Sequence, residues 1–143
     1  MNRYIKLDNK LQPLADQTAT DHVAVRDTET GLIWTANNIG DGRLEHAPAM
    51  QACAALTLGE QSDWRLPTIK ELLTLVNYER VDPAIDIEAF PTCKPNYYWS
   101  SSPCAGDSGV AWDVSFGNGS SSVGSRYYDG FVRAVRGPVS ASQ

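Results

Sequence analysis

With 143 residues, a net charge of −5, 42% hydrophobic and 20% charged residues, the chain has the make-up expected of one globular domain, residues 1–143, around a single core. The acidic balance and the lack of any basic run exclude nucleic acid as a partner, because polyanions are held by clustered Lys and Arg that release counterions. The opening residues lack the apolar stretch of a signal peptide, no apolar run is long enough to span a bilayer, and Cys53, Cys93 and Cys104 are too few for a disulfide framework.

In chain order, the first recognisable unit covers residues 22–34, where two short apolar runs flank Asp27 to Gly31. Gly31 can take the positive φ that closes such a hairpin. Residues 47–56 read as a helix of strong formers, with Pro48 suited to its first turn and Gly59 marking the exit. The spacing puts Met50, Cys53 and Ala54 on one face, where Cys53 packs as a small hydrophobe. A nucleophilic cysteine would need a base, and the only histidines are His22, opening a predicted strand, and His46, just before the helix. Cys93 and Cys104 could bridge, which the sequence leaves open.

The sharpest local signal in the front half is Asp63-Trp-Arg-Leu-Pro-Thr-Ile-Lys-Glu71. Pro67 pushes Leu66 out of helical space, Thr68 is an N-cap, and Glu71 completes a capping box worth roughly 1 kcal/mol. A helix is expected from Thr68, burying Ile69, Leu72, Leu73 and Val76, with Trp64 and Arg65 anchoring the loop before it. From Tyr97 onward the pattern turns to strands. Residues 98–101 form one, and in residues 110–116 Val110, Trp112, Val114 and Phe116 alternate with small or polar residues, so Asp113 and Ser115 are expected to point away from the core. Gly117-Asn-Gly119 makes a turn, residues 120–125 return as an edge strand, and residues 131–136 close the sheet.

Residues 104–131 overlap these strands and stand apart in composition. The first 103 residues hold 16 Lys, Glu, Gln or Met, whereas these 28 hold none and are rich in Ser, Gly and Tyr. Such residues make up paratopes, because Tyr gives large contact area at low entropy cost while Ser and Gly adapt around it. They also make up ordinary Gly/Ser-rich loops between strands.

Several ordered motifs resemble the C-terminal domain of the Legionella collagen-like adhesin and its relatives. They are Asp27-Thr-Glu-Thr-Gly-Leu-Ile-Trp34, Ala52-Cys53 with Leu56 to Gly59, Ser62-Asp-Trp-Arg-Leu-Pro-Thr68 with Lys70-Glu-Leu72, Phe90-Pro91, Tyr98-Trp-Ser-Ser-Ser-Pro103 and Val132-Arg-Ala-Val-Arg136. The resemblance implies an α+β, C-type-lectin-like fold: two helices, a small twisted antiparallel sheet, termini close together and a loop-rich C-terminal binding face. It implies a non-enzymatic ligand-binding, receptor-binding or adhesion module, since the sulfatase-modifying enzymes of that fold are longer and use a cysteine pair not visible here. The partner would be a cell-surface protein or glycan, without membrane insertion, and display could depend on a virion or a carrier protein.

The segment 104–131 is also similar to the variable proteins of diversity-generating retroelements, in which adenine-specific mutagenesis rewrites AAC or AAT codons. Those codons cannot become Lys, Glu, Gln, Met or Trp, and apart from Trp112 every residue of the segment lies in the accessible set. That resemblance implies a framework of Ala105, Gly106, Ala111, Trp112, Val114, Phe116 and Gly119. The changeable, ligand-binding positions would be Cys104, Asp107, Gly109, Asp113, Ser115, Gly117, Ser120, Ser122, Ser125, Tyr127, Tyr128 and Asp129. No cofactor and no metal is implied, because the Glu-Pro-Asn and Gln-Pro-Asp tripeptides of calcium-dependent lectins are absent and Trp112-Asp113-Val114 only partly echoes their Trp-Asn-Asp motif. The alternative is a non-diversified bacterial adhesin domain for glycans or glycosaminoglycans, which the scarcity of Arg and Lys clusters weakens.

Overall fold

The hairpin expected around Gly31 forms. In the computed structural model, which describes residues 2–40 and 42–137, β2 (Ala24–Asp27) and β3 (Ile33–Thr35) pair antiparallel across a turn in which Gly31 has φ 78°. An N-terminal strand that the sequence pattern does not announce, β1 (Tyr4–Leu7), adds to the free edge of β2. Arg3 fastens it by donating from Nε and Nη2 to the two carboxylate oxygens of buried Asp27, at 2.9 and 2.7 Å.

Helix α1 (His46–Ala54) and helix α2 (Ile69–Leu73) follow, holding nine and five residues. The buried side chains of α1 are His46, Ala49 and Cys53, whereas Met50 and Ala54 are exposed, so the face read from the spacing is rotated from the one that packs. Helix α2 starts as expected. The Thr68 hydroxyl accepts from the Glu71 amide at 3.2 Å, and the Glu71 carboxylate accepts from the Thr68 amide at 3.0 Å. It ends after Leu73 because the Thr74 hydroxyl turns back to donate to the Glu71 carbonyl, and the next amides bond three residues back. Val76 therefore lies beyond the helix, partly buried against the core.

The C-terminal half builds β4 (Tyr97–Cys104), β5 (Asp107–Ser115) and β6 (Ser121–Ser125), an antiparallel three-stranded sheet. A short last strand, β7 (Val135–Arg136), pairs with β3 instead, giving a four-stranded sheet in the order β1-β2-β3-β7. Thus residues 131–136 do not close the sheet of β4 and β5. Phe131 meets β4 through a single parallel bridge to Tyr98 before the chain crosses to the other sheet.

The α+β, C-type-lectin-like expectation is overturned. The described residues are mostly β, with two antiparallel sheets of four and three strands and two short helices. The first helix ends at Ala54 and the second at Leu73, while the unanticipated β1 and β7 enlarge the strand content.

Two apolar clusters make the core, and the three-stranded sheet lies between them. Successive strand residues point to opposite faces, so β4 sends Tyr98 into a cluster with Trp34, Leu72, Phe90, Val114 and Phe116, and Trp99 into a second with Cys53, Trp64, Leu66, Ala111 and Val132. Phe116 is fully buried, a burial that contributes about 1.5–3 kcal/mol. Arg133 is also fully buried, donating from Nη1 to the carbonyls of Thr35 and Ala36 at 2.6 and 2.9 Å with its guanidinium 4.6 Å from the Phe90 ring centre.

This two-sided packing corrects the reading of β5. Val114 and Phe116 are core, but Trp112 is only half-buried, and Asp113, expected to point to solvent, is buried because its face of the sheet is covered as well.

Candidate functional site

Register places the site. Trp99 of β4 stands opposite Asp113 of β5, which stands opposite Ser122 of β6, so an indole, a carboxylate and a hydroxyl lie side by side across three strands. Over them folds the segment 126–131, pinned at both ends by main-chain bonds. The Arg126 amide donates to the Gly109 carbonyl, the Arg126 carbonyl accepts from the His46 amide, Gly130 and Leu44 bond each other in both directions, and the Phe131 amide donates to Tyr97. The tip between these anchors is open to solvent, with Tyr127 82% and Tyr128 69% exposed.

Between tip and sheet is a cavity of about 250 Å³, walled by Tyr97, Trp99, Asp113, Ser122, Tyr128 and Asp129. Trp99 is fixed. Its Nε1 donates to the Leu44 carbonyl at 2.9 Å, its ring meets His46 edge-on at 5.0 Å, and Gly130 packs against it so closely that a Cβ there would stand 2.9 Å from Cδ1. His46 is held in one tautomer. Arg126 Nη1 donates to its Nδ1 at 3.0 Å, so Nε2 carries the proton and donates to the Ser100 carbonyl at 2.8 Å. Burial, helped by the Arg126 charge and against the Ser100 bond, holds His46 below the usual histidine range.

Asp113 is 7% exposed and its Oδ1 accepts from the Ser122 hydroxyl at 2.6 Å. Among the described residues it makes no ion pair. Burial raises it above the usual carboxylate range despite the Ser122 bond. Beside it, Gly124 packs closely: a Cβ there would stand 3.1 Å from Asp113 Oδ2 and 3.6 Å from the tip of Trp99.

The positions expected to bind divide by place. Asp113, Ser122, Tyr128 and Asp129 meet in the cavity, and Tyr127 stands beside it on the same tip. Ser125 supports that tip, its carbonyl accepting from the Tyr128 amide and its hydroxyl from the Tyr127 amide. Cys104, Asp107 and Gly109 lie at the β4–β5 hairpin end. At the other end, the Ser115 hydroxyl accepts from the Gly117 amide, and Ser120 bonds Asn118 in the β5–β6 turn. The twelve therefore do not form one patch. Tyr97 and Trp99, which also wall the cavity, are not among the expected positions; both precede residue 104, and in the sequence nothing sets them apart from the strand pattern.

Elsewhere the chemistry is quiet. All three cysteines are free thiols, and burial pushes Cys53 up to about 12. Among the described residues, no group of three or more His, Cys, Asp or Glu converges to hold a metal ion.

Fold and site together define a small two-sheet β domain carrying a tyrosine-tipped surface cavity. The chain belongs to the Lcl C-terminal domain family, whose model matches residues 23–136. It is accordingly an adhesin-like domain. Among curated proteins, none matches it significantly.

Proposed function

We propose that this domain is a non-enzymatic binding module that holds a cell-surface protein or glycan with the cavity and the Tyr127–Tyr128 tip. The observation that carries this is the pairing of two highly exposed tyrosines with a recessed cavity on a loop fixed by main-chain bonds. Exposed large aromatics on a rigid support are what binding surfaces use as anchors. The non-catalytic reading is supported by the side chains themselves: Cys53 is buried with a raised pKa, and His22 and His46 both have Nε2 committed to backbone carbonyls. Two carboxylates in the cavity, Asp113 and Asp129, disfavour a sulfated glycosaminoglycan there.

Retroelement diversification belongs to the same proposal. Ala111, Val114 and Phe116 of the framework are fully buried, and Gly119 is buried where a Cβ would stand 2.5 Å from Val76, whereas of the twelve changeable positions only Asp113 is buried. A near-copy of the codons for residues 104–131, differing only at adenines beside a reverse transcriptase gene, is the expected finding in the neighbouring DNA. Differences at other bases would sink it.

The binding reading is tested with the double variant Tyr127→Ala, Tyr128→Ala on arrays of cell-surface ectodomains and glycans. The natural chain binds at least one defined ligand and the variant loses it, while stability stays within about 0.5 kcal/mol because both side chains are exposed. A natural chain that binds nothing, or a variant that binds equally, refutes it.

A further inference from the structure

We infer that the cavity beneath Tyr128 is a site for a primary ammonium group, presented by a lysine side chain or an amino sugar. A buried carboxyl group lies there without a cationic partner among the described residues. Asp113 is nine-tenths buried, one of its oxygens is taken by Ser122, and no described Lys, Arg or His pairs with it. The nearby arginines are engaged elsewhere: Arg126 bonds His46, and Arg43 lies over the Phe131 ring at 5.9 Å. A buried carboxylate without a cation is costly, and a ligand that brings one supplies the missing half of the pair.

The surroundings fit that ligand. Trp99, Tyr97 and Tyr128 wall the cavity, and the faces of such rings attract ammonium groups. Asp129 adds a second carboxylate to the lining. Gly124, which lies so close that a Cβ would stand 3.1 Å from Asp113 Oδ2, puts no side chain over that oxygen. At about 250 Å³ the cavity is smaller than those that take drug-sized ligands, and suits one side chain or one sugar ring. Anionic ligands meet two carboxylates there, and a neutral ligand leaves Asp113 unpaired.

The inference rests on the binding-module reading, and the test separates the two. The full chain is titrated with Nα-acetyl-lysine methylamide, its norleucine counterpart, glucosamine and glucose, following the Trp99 indole and the Gly124 and Gly130 amides by NMR. The ammonium probes are expected to shift these signals saturably, with the neutral counterparts weaker by about tenfold or more. Asp113→Asn, which keeps the Ser122 bond, is expected to lower ammonium affinity by a similar factor. Tyr128→Leu, at an exposed position, should lower it as well if the Asn variant does not fold. Tighter binding of the lysine probe assigns the site to a protein ligand, and tighter binding of glucosamine to a glycan.

Equal binding of neutral and ammonium probes, no binding of either, or unchanged affinity in a folded Asp113→Asn overturns the inference. An array ligand held equally well by Asp113→Asn also overturns it and leaves the module reading standing. Ammonium binding without any array ligand does the converse.

Discussion

Replacing Gly130 by Ala tests whether the cavity wall is as fixed as its contacts imply. Gly130 does not occupy a left-handed conformation, so the backbone accepts Ala and the effect is steric. The new Cβ would stand 2.9 Å from Trp99 Cδ1 and Nε1, well inside the roughly 3.5–4.0 Å at which such atoms pack. Trp99 has little room to retreat, being 3% exposed, bonded to the Leu44 carbonyl and edge-on to His46. Overpacking of this kind costs about 1–3 kcal/mol, and breaking the Nε1 bond adds about 0.5–1.5 kcal/mol. A loss of about 3 kcal/mol lowers Tm by roughly 6–12 °C in a chain this size. The assay is thermal and urea unfolding followed by tryptophan fluorescence, with Gly109→Ala as the control. There the nearest neighbour is Asp107 Oδ1 at 3.4 Å, so the cost should stay within about 0.5 kcal/mol. If Gly130→Ala melts within about 2 °C of the natural chain, Trp99 is not held as described.

Two further outcomes are expected. Thr68→Ala removes the acceptor of the capping box and should cost about 0.5–2 kcal/mol while leaving array binding of the folded fraction unchanged; binding that falls without a change in Tm would place the loop before α2 in the site. Acid should destabilise the fold through Asp27 and Glu71. Burial raises each, but the bonds from Arg3 and Arg65 and from backbone amides outweigh it and hold both below their ordinary values of 3.8 and 4.5. A depressed carboxylate contributes stability that is present above its unfolded value and lost as pH falls through its folded value. Unfolding free energy should therefore drop from about pH 4.5 downward, and Glu71→Gln should make that drop shallower. An unchanged slope in the variant contradicts the role given to Arg65.

How much could be read in advance depended on how local the cause was. The hairpin at Gly31 and the capping box of Thr68 and Glu71 are decided by neighbours in sequence, and both form where expected. Asp113 was misplaced because alternation tells which side of a strand a residue takes, not what covers that side. The cover comes from Trp99 one strand away and from the distant segment 126–131. Met50 misled for a related reason: the burial of α1 follows the contact of His46 with Trp99 rather than the most apolar side chain of the helix. Strand β1 forms by pairing with β2, about 20 residues away in sequence, and nothing in residues 4–7 themselves announces that pairing. The cavity was half legible, since Tyr128 and Asp129 stood out by composition while Tyr97 and Trp99 looked like ordinary strand residues.

The anchorage of the segment 126–131 is written in peptide atoms that nearly every residue carries. Among the described residues, the bonds that anchor it run between main-chain atoms and use no side chain of Tyr127, Tyr128 or Asp129. The ordering of the tip is thereby largely complete in the free protein, and association forfeits little conformational freedom there. The same arrangement separates what the tip says from where it stands: three adjacent residues can be exchanged like type in a locked frame. A short foreign recognition sequence placed at 127–129 would inherit a defined position without being asked to help build the fold.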